Sequence, residues 1–233
     1  MKNKISESRL FCHIAQLSSE FFYWAFVKKM CYTIDASLRA FAISLLACGI
    51  LIVKKTGPDA KILGWFFLFV ALMQLWDAAF WKWPAPHPIN KFATKAAMIF
   101  NHIQPLVLLL LILHFKKQAT AASKNILWLY AAVIIPYSLM MWKKIEFTSP
   151  GPNGSLEWKW NKGANAGVVY MIFLAALCLL FVQNIRGPVG IFAAVITAIS
   201  FFWSAWKYGK QNSTGRFWCH FAAFAPLLFL PFV

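Results

Sequence analysis

A small set of polar side chains sits where the neighbouring residues are otherwise apolar, and these residues are the ones in this chain that could do chemistry. Gln74 and Asp77 are three apart, and Trp81 continues the same helical face. Asn101, His102 and Gln104 follow in a second run and precede Pro105, which removes one helix hydrogen bond and can kink a helix. A third run opens with Trp218-Cys219-His220. Carboxylates and imidazoles are costly inside a bilayer, so their presence there is a functional-site hypothesis by default. Asp77, His102 and His220 are therefore candidate acid–base residues, and Cys31 is a candidate nucleophile. Gln74, Asp77, Asn101, His102, Gln104 and Trp218 are candidate ligand-binding residues. No metal site is expected, because no HxxxH or HExxH pattern occurs and the five cysteines have no CxxC spacing. Nothing in the chain specifies a cofactor.

Other polar positions have simpler readings. Asp35 and Arg39 at i, i+4 read as a one-turn structural pair, and Thr197, Ser200 and Ser204 as a helix-packing stripe. Cys48 and Cys178 lie inside apolar runs and read as small core residues.

The elements that must position these residues follow from composition. Of 233 residues, 61% are hydrophobic and 13% charged, and the mean hydropathy is +0.61. A soluble domain carries roughly 25% charge. Disordered chains, disulfide-framework domains and ordinary soluble enzymes are excluded, and a multi-pass membrane protein remains. The formal charge of +16 does not indicate nucleic acid. The basic residues stand singly or in pairs between apolar runs, as they do where loops meet anionic headgroups.

The fold class expected is all-α: a seven-helix transmembrane bundle with an N-terminal amphipathic interfacial helix. The apolar runs are 34–53, 62–83, 92–115, 126–142, 166–182, 188–208 and 217–233, each matching the hydrocarbon thickness. Their continuity, without period-two alternation, disfavours a barrel. The longest break, 143–165, contains Pro150, Gly151, Pro152 and Gly154 and is expected to form an irregular cap. We call side B the side of the N-terminus and of the loops after the second, fourth and sixth runs. Side B carries 14 lysines and arginines against 7 on side A, which places side B and the N-terminus in the cytoplasm. Without the first 29 residues the margin is 9 against 7.

Depth divides the bundle. At 1.5 Å per residue, Asp77 lies roughly 9 Å from the side-B end of its run, His102 roughly 15 Å and His220 roughly 5 Å. The side-A halves are almost purely apolar. The pattern implies a blind polar cavity opening to side B, with Asp77 and His102 facing each other and His220 nearer the mouth.

Residues 1–33 differ in character. His13, Gln16, Glu20 and Tyr23 recur at helical spacing opposite Phe21, Phe22, Trp24 and Phe26, which reads as an amphipathic helix over about 9–27 lying in the interface. An eighth span is disfavoured by Glu20.

Met30-Cys31-Tyr32-Thr33-Ile34-Asp35-Ala36-Ser37 resembles the opening of an uncharacterised family of multi-spanning membrane proteins. Its members, from bacteria, algae and large DNA viruses, begin Met-Cys-aromatic-small. The resemblance continues at Leu72-Met73-Gln74, His102-Ile103-Gln104-Pro105, Gly154-Ser155-Leu156-Glu157-Trp158 and Arg216-Phe217-Trp218-Cys219, and so covers residues 30–233. It implies a seven-helix fold and brings no established activity, cofactor or catalytic residue. In that family the Met-Cys pair is the amino terminus, whereas here 29 residues precede it. A start at Met30 followed by methionine removal would expose Cys31, whose free amine beside a thiol is a nucleophile or metal ligand in type.

Three function classes fit. The first is a binder of a small or amphiphilic ligand, sensor- or transporter-like, using the side-B cavity. The second is a membrane-embedded hydrolase-type enzyme using Asp77 and His102. The third is a structural membrane protein. The expected partners are the lipid bilayer and a small-molecule or lipid ligand, without nucleic acid. A retinal protein is disfavoured, since the last run has no lysine for a Schiff base, and a secondary transporter by the lack of an inverted repeat.

Overall fold

The computed structural model describes residues 33–145, 147–151, 154, 156–161, 165–209 and 214–233. The expected amphipathic helix, Met30 and Cys31 lie outside the described residues.

The described chain is helical apart from a short cap. Its elements are α1 (Ile34–Val53), α2 (Pro58–Ala71), α3 (Met73–Lys82), α4 (Pro88–His102), α5 (Gln104–Lys116), α6 (Ala121–Lys144), α7 (Ala166–Asn184), α8 (Gly187–Tyr208) and α9 (Thr214–Phe229). Between α6 and α7, β1 (Ser149–Pro150) pairs antiparallel with β2 (Leu156–Glu157), and one 3-10 turn spans Lys159–Asn161.

Local chemistry sets the ends. Thr33 caps α1, its hydroxyl accepting from Ala36 N at 3.2 Å, and Thr120 caps α6 the same way at 3.0 Å from Ser123 N. Prolines open α2, α4 and α8, where the missing N–H costs nothing. α2 and α3 form one span, Pro58–Lys82, interrupted by a single turn residue at Leu72. α4 and α5 meet at Ile103 with a bend of 52°. Pro105, which cannot donate back to the preceding turn, accounts for the bend.

Among the described residues five helices are long and apolar enough to cross a membrane, or six if the bent α4–α5 pair counts as one span. The seventh expected run forms α9, which ends at Phe229 rather than Val233 and has 16 residues. It is therefore shorter than the expected 217–233 span at its side-A end, while starting three residues earlier. Of the others, α1 coincides with its apolar run, α4–α5 and α6 extend beyond theirs at both ends, and α2–α3, α7 and α8 at one end only, because capping and not hydropathy decides where a helix stops.

α1 packs closely on α2, and α9 lies against α1, α2 and α8. A side chain at Gly64 would place its Cβ 2.8 Å from Ile52 Cγ1 and 3.1 Å from Leu51 Cβ, so glycine is what lets α1 and α2 approach. Phe66, Phe67, Phe181 and Phe229 stack edge-to-face and in parallel at the side-A end of the core. Leu46, Val53, Trp128, Leu129 and Trp206 face outward, as lipid-facing residues do.

The side-A end is not wholly dry. Asp59, Lys116, Ser123, Gln183 and Asn184 form a polar cluster there, which the apolar reading of that half missed because its members sit at helix termini.

Candidate functional site

The site begins with two helical faces. On α3, Gln74, Asp77 and Trp81 fall one above the other. On α9, Arg216 and His220 are one turn apart. The two helices pass antiparallel, so each side chain meets an opposite number. His220 Nδ1 lies 3.3 Å from Gln74 Oε1, and Arg216 Nε lies 3.4 Å from Asp77 Oδ2. The guanidinium carbon stands 5.7 Å from the centre of the Trp81 ring, a cation–π distance. Gln74, Asp77 and Arg216 have no exposure at all.

The cap closes this end. Trp158 Nε1 donates to Asp77 Oδ1 at 3.1 Å, and Trp158 stacks on Trp160 with centroids 4.8 Å apart. Both indoles are fully buried. Thr148 ties the cap to α4: its N–H donates to Asn90 Oδ1 at 2.9 Å, and Asn90 Nδ2 returns a bond to Thr148 O at 3.0 Å. The expected irregular cap is thus a short hairpin pinned into the bundle.

A second group surrounds His102. Its Nδ1 is 2.7 Å from Ser138 Oγ, whose hydroxyl donates to Ile134 O at 2.6 Å. Its Nε2 is 3.3 Å from Tyr170 OH, which donates to Asn101 Oδ1 at 2.9 Å. Asn101 Nδ2 in turn points at Cys219 Sγ, 3.9 Å away. Tyr130 OH donates to His102 O at 2.6 Å, serving a carbonyl at the bend. One polar chain therefore crosses α6, α4, α7 and α9.

Asp77 and His102 do not pair; each has partners of its own. The two groups communicate through the cap, where Tyr137 OH donates to Trp160 O at 2.5 Å and the Tyr137 ring lies 5.7 Å from the His102 ring. The depth reading had Asp77 and His102 facing each other across one cavity and gave no sign of the indole pair that lies between their separate groups. The expected open mouth is covered: Asp77, Gln74, Asn101 and Gln104 are all fully buried.

The remaining expected residues divide. Gln104 is buried beside the bend, and neither of its amide atoms has a hydrogen-bond partner among the described residues. Trp218 packs edge-on against Phe173 and Phe201, on the aromatic side of α9. Ser200 Oγ donates to Thr197 O at 3.0 Å, while Asp35 and Arg39 are both exposed and form no ion pair among the described residues. Among the described residues no three His, Cys, Asp or Glu side chains converge as a metal site.

Arg216, Trp158, Tyr170 and Ser138 were not candidates from sequence. Arg216 reads as one more loop-flanking cation, and only its i, i+4 spacing from His220 hints otherwise. A lateral cavity of about 330 Å³ opens between α7, α8 and the start of α9, lined by Met171, Phe201, Phe202 and Ala205, and reaches Tyr170.

The imbalance of donors over acceptors is the chemical signature of the site. Arg216 Nη1 and Nη2, Gln74 Nε2 and Trp81 Nε1 are buried donors without a hydrogen-bond partner among the described residues. A buried unpaired donor costs about 1–3 kcal/mol. An acceptor-rich group could be held here; a metal cation could not be held by donors. No family model, curated protein or solved structure matches this chain.

Proposed function

We propose that the chain is a seven-span membrane protein, of the family its motifs resemble, whose side-B polar site binds a small or amphiphilic ligand through an anionic or carbonyl acceptor. The carrying observation is Arg216. Its guanidinium is buried and approaches Asp77 through Nε, and neither Nη group has a hydrogen-bond partner among the described residues. Gln74 Nε2 and Trp81 Nε1 are further donors on the same α3–α9 seam. Four of the five motif segments of the resemblance contain Gln74, His102, Trp158 or Arg216, all of which lie at this end of the bundle.

The hydrolase reading has less support. Asp77 accepts from Trp158 and faces Arg216, which leaves it poorly placed as a base. Ser138 is within 2.7 Å of His102, but its hydroxyl donates to the helix backbone instead of being activated by the imidazole.

The test is ligand retention. Protein purified in neutral detergent should release an acceptor-bearing small molecule or lipid on denaturation, read by mass spectrometry. Trp81→Phe and Gln74→Leu, which remove donors without breaking the Asp77–Arg216 pair, should lose it. Retention unchanged in both variants would sink the proposal and leave a structural seam.

A further inference from the structure

The opposite, side-A end of the bundle carries a second pocket that no part of the proposed function uses. It has a volume of about 700 Å³ and is framed by the turns after α1, α5 and α7, with Lys116, Gln183 and Arg186 in its wall beside Phe115 and Ile185. That volume lies within the roughly 300–1,000 Å³ of small-molecule sites.

The hydrogen-bond pattern decides what it can hold. Asp59 is fully engaged: Oδ1 pairs with Lys116 Nζ at 2.5 Å, and Oδ2 accepts from Arg186 N at 3.2 Å. Asn184 O accepts from Lys116 Nζ. Gln183 Oε1 accepts from Ser123 Oγ at 2.9 Å and Thr120 Oγ1 at 3.1 Å. The acceptors of the cluster are thus turned to protein donors. What remains for the pocket is donors: a third N–H on Lys116, the Gln183 amide nitrogen and the Arg186 guanidinium, which has no ion-pair partner among the described residues. Such a wall takes an anion with several oxygens, because charge-assisted hydrogen bonds from lysine and arginine to phosphate oxygens are the strong ones.

We propose that this pocket binds a phosphate monoester head group, with Arg186 as the main contact and Lys116 and Gln183 beside it. The wall residues Phe115 and Ile185 lie against the glycerol end of a lipid. Because Asp59 holds Arg186 by its backbone, the side chain can be changed without releasing that anchor.

The experiment uses the full chain in neutral detergent and follows thermal unfolding against dioleoyl phosphatidic acid, dioleoylglycerol and inorganic phosphate. Phosphatidic acid should raise the melting temperature saturably, and dioleoylglycerol should not. Saturation by inorganic phosphate at similar concentrations assigns the site to free phosphate; a lipid-only response assigns it to the head group. Arg186→Gln should weaken the response roughly fivefold or more, as expected for one basic residue at about 1 kcal/mol. Ala119→Trp, which fills the pocket, should abolish it, and Lys207→Gln at the other end should leave it unchanged. Equal response to dioleoylglycerol, or equal loss in Lys207→Gln, overturns the proposal. So does a response that survives both Arg186→Gln and Ala119→Trp.

Discussion

Asp77 and Arg216 form an ion pair between α3 and α9 in which neither side chain is exposed, yet the approach is long, 3.4 Å from Oδ2 to Nε. Two opposite charges at that distance attract strongly in a low-dielectric interior, but both have given up hydration to be there. The pair is complete only in charge. The guanidinium keeps donors that Asp77 does not reach, and this is why a stabilising seam can also be a binding site.

The first prediction follows from that asymmetry. Removing one partner strands a buried charge, so Asp77→Leu or Arg216→Met alone should destabilise by about 3–5 kcal/mol. The double variant should recover much of that loss, since a packed apolar pair is often no worse than a buried ion pair. A double-mutant cycle on thermal or denaturant unfolding in detergent measures both. Full recovery of stability together with loss of ligand retention would separate the structural from the binding role.

A second prediction concerns the cap. Asn90 exchanges two hydrogen bonds with Thr148 and also donates to Trp83 O at 2.9 Å. Asn90→Ala should therefore free the hairpin while leaving the helices intact. Hydrogen exchange at 156–161 should accelerate to the rate of an open loop, and Trp158 should become accessible to quenchers. Unchanged protection there would mean that the cap is held without Asn90, by Thr94, which accepts from Thr148 N at 3.0 Å, and by the Trp158–Asp77 and Tyr137–Trp160 bonds.

The helical architecture and the depth of its polar residues were legible because both are written in runs of residue type. Uninterrupted apolar stretches specify helices in lipid, and Asp77, Gln74 and His220 stand out against them. Partner identity was not legible. Arg216 lies at the edge of an apolar run, where a cation is ordinary, and only the antiparallel passage of α9 against α3 turns it inward. Trp158 belongs to a loop, and nothing in its flanks says that its indole reaches 81 residues back to Asp77. The bend at Ile103 was foreshadowed by Pro105, but the service of His102 O by Tyr130 was not, because it depends on the packing of α6.

Topology gives a third prediction. The charge asymmetry and the seven-span reading place the 143–165 loop in the cytoplasm and the C-terminus outside. Single cysteines introduced at Lys159 and at Val233, in a background lacking the native cysteines, should react with a membrane-impermeant maleimide from opposite sides. Labelling of both from the same side would show that an even number of the helices α7, α8 and α9 cross the membrane, against the seven-span reading. Labelling of Lys159→Cys from outside would reverse the orientation.

The last prediction tests the chain of hydrogen bonds through His102. Tyr170 OH lies between Asn101 Oδ1 and His102 Nε2, and its ring also lines the lateral cavity. A phenol has one hydrogen, so it can donate to only one of these neighbours at a time. Tyr170→Phe therefore leaves an acceptor on Asn101 unpaired within a fully buried site, at about 1–3 kcal/mol. Ser138→Ala also removes a His102 partner, but the Ser138 hydroxyl gives its hydrogen to Ile134 O and His102 keeps Tyr170, so the cost should be smaller. Unfolding measurements on the two variants give the order. Ligand retention gives the second readout: if the lateral cavity is the route by which an amphiphile reaches the polar site, Tyr170→Phe should alter retention where Ser138→Ala does not. Equal effects of the two substitutions on both stability and retention would show that His102 matters only as a packed side chain, with Tyr170 playing no separate part.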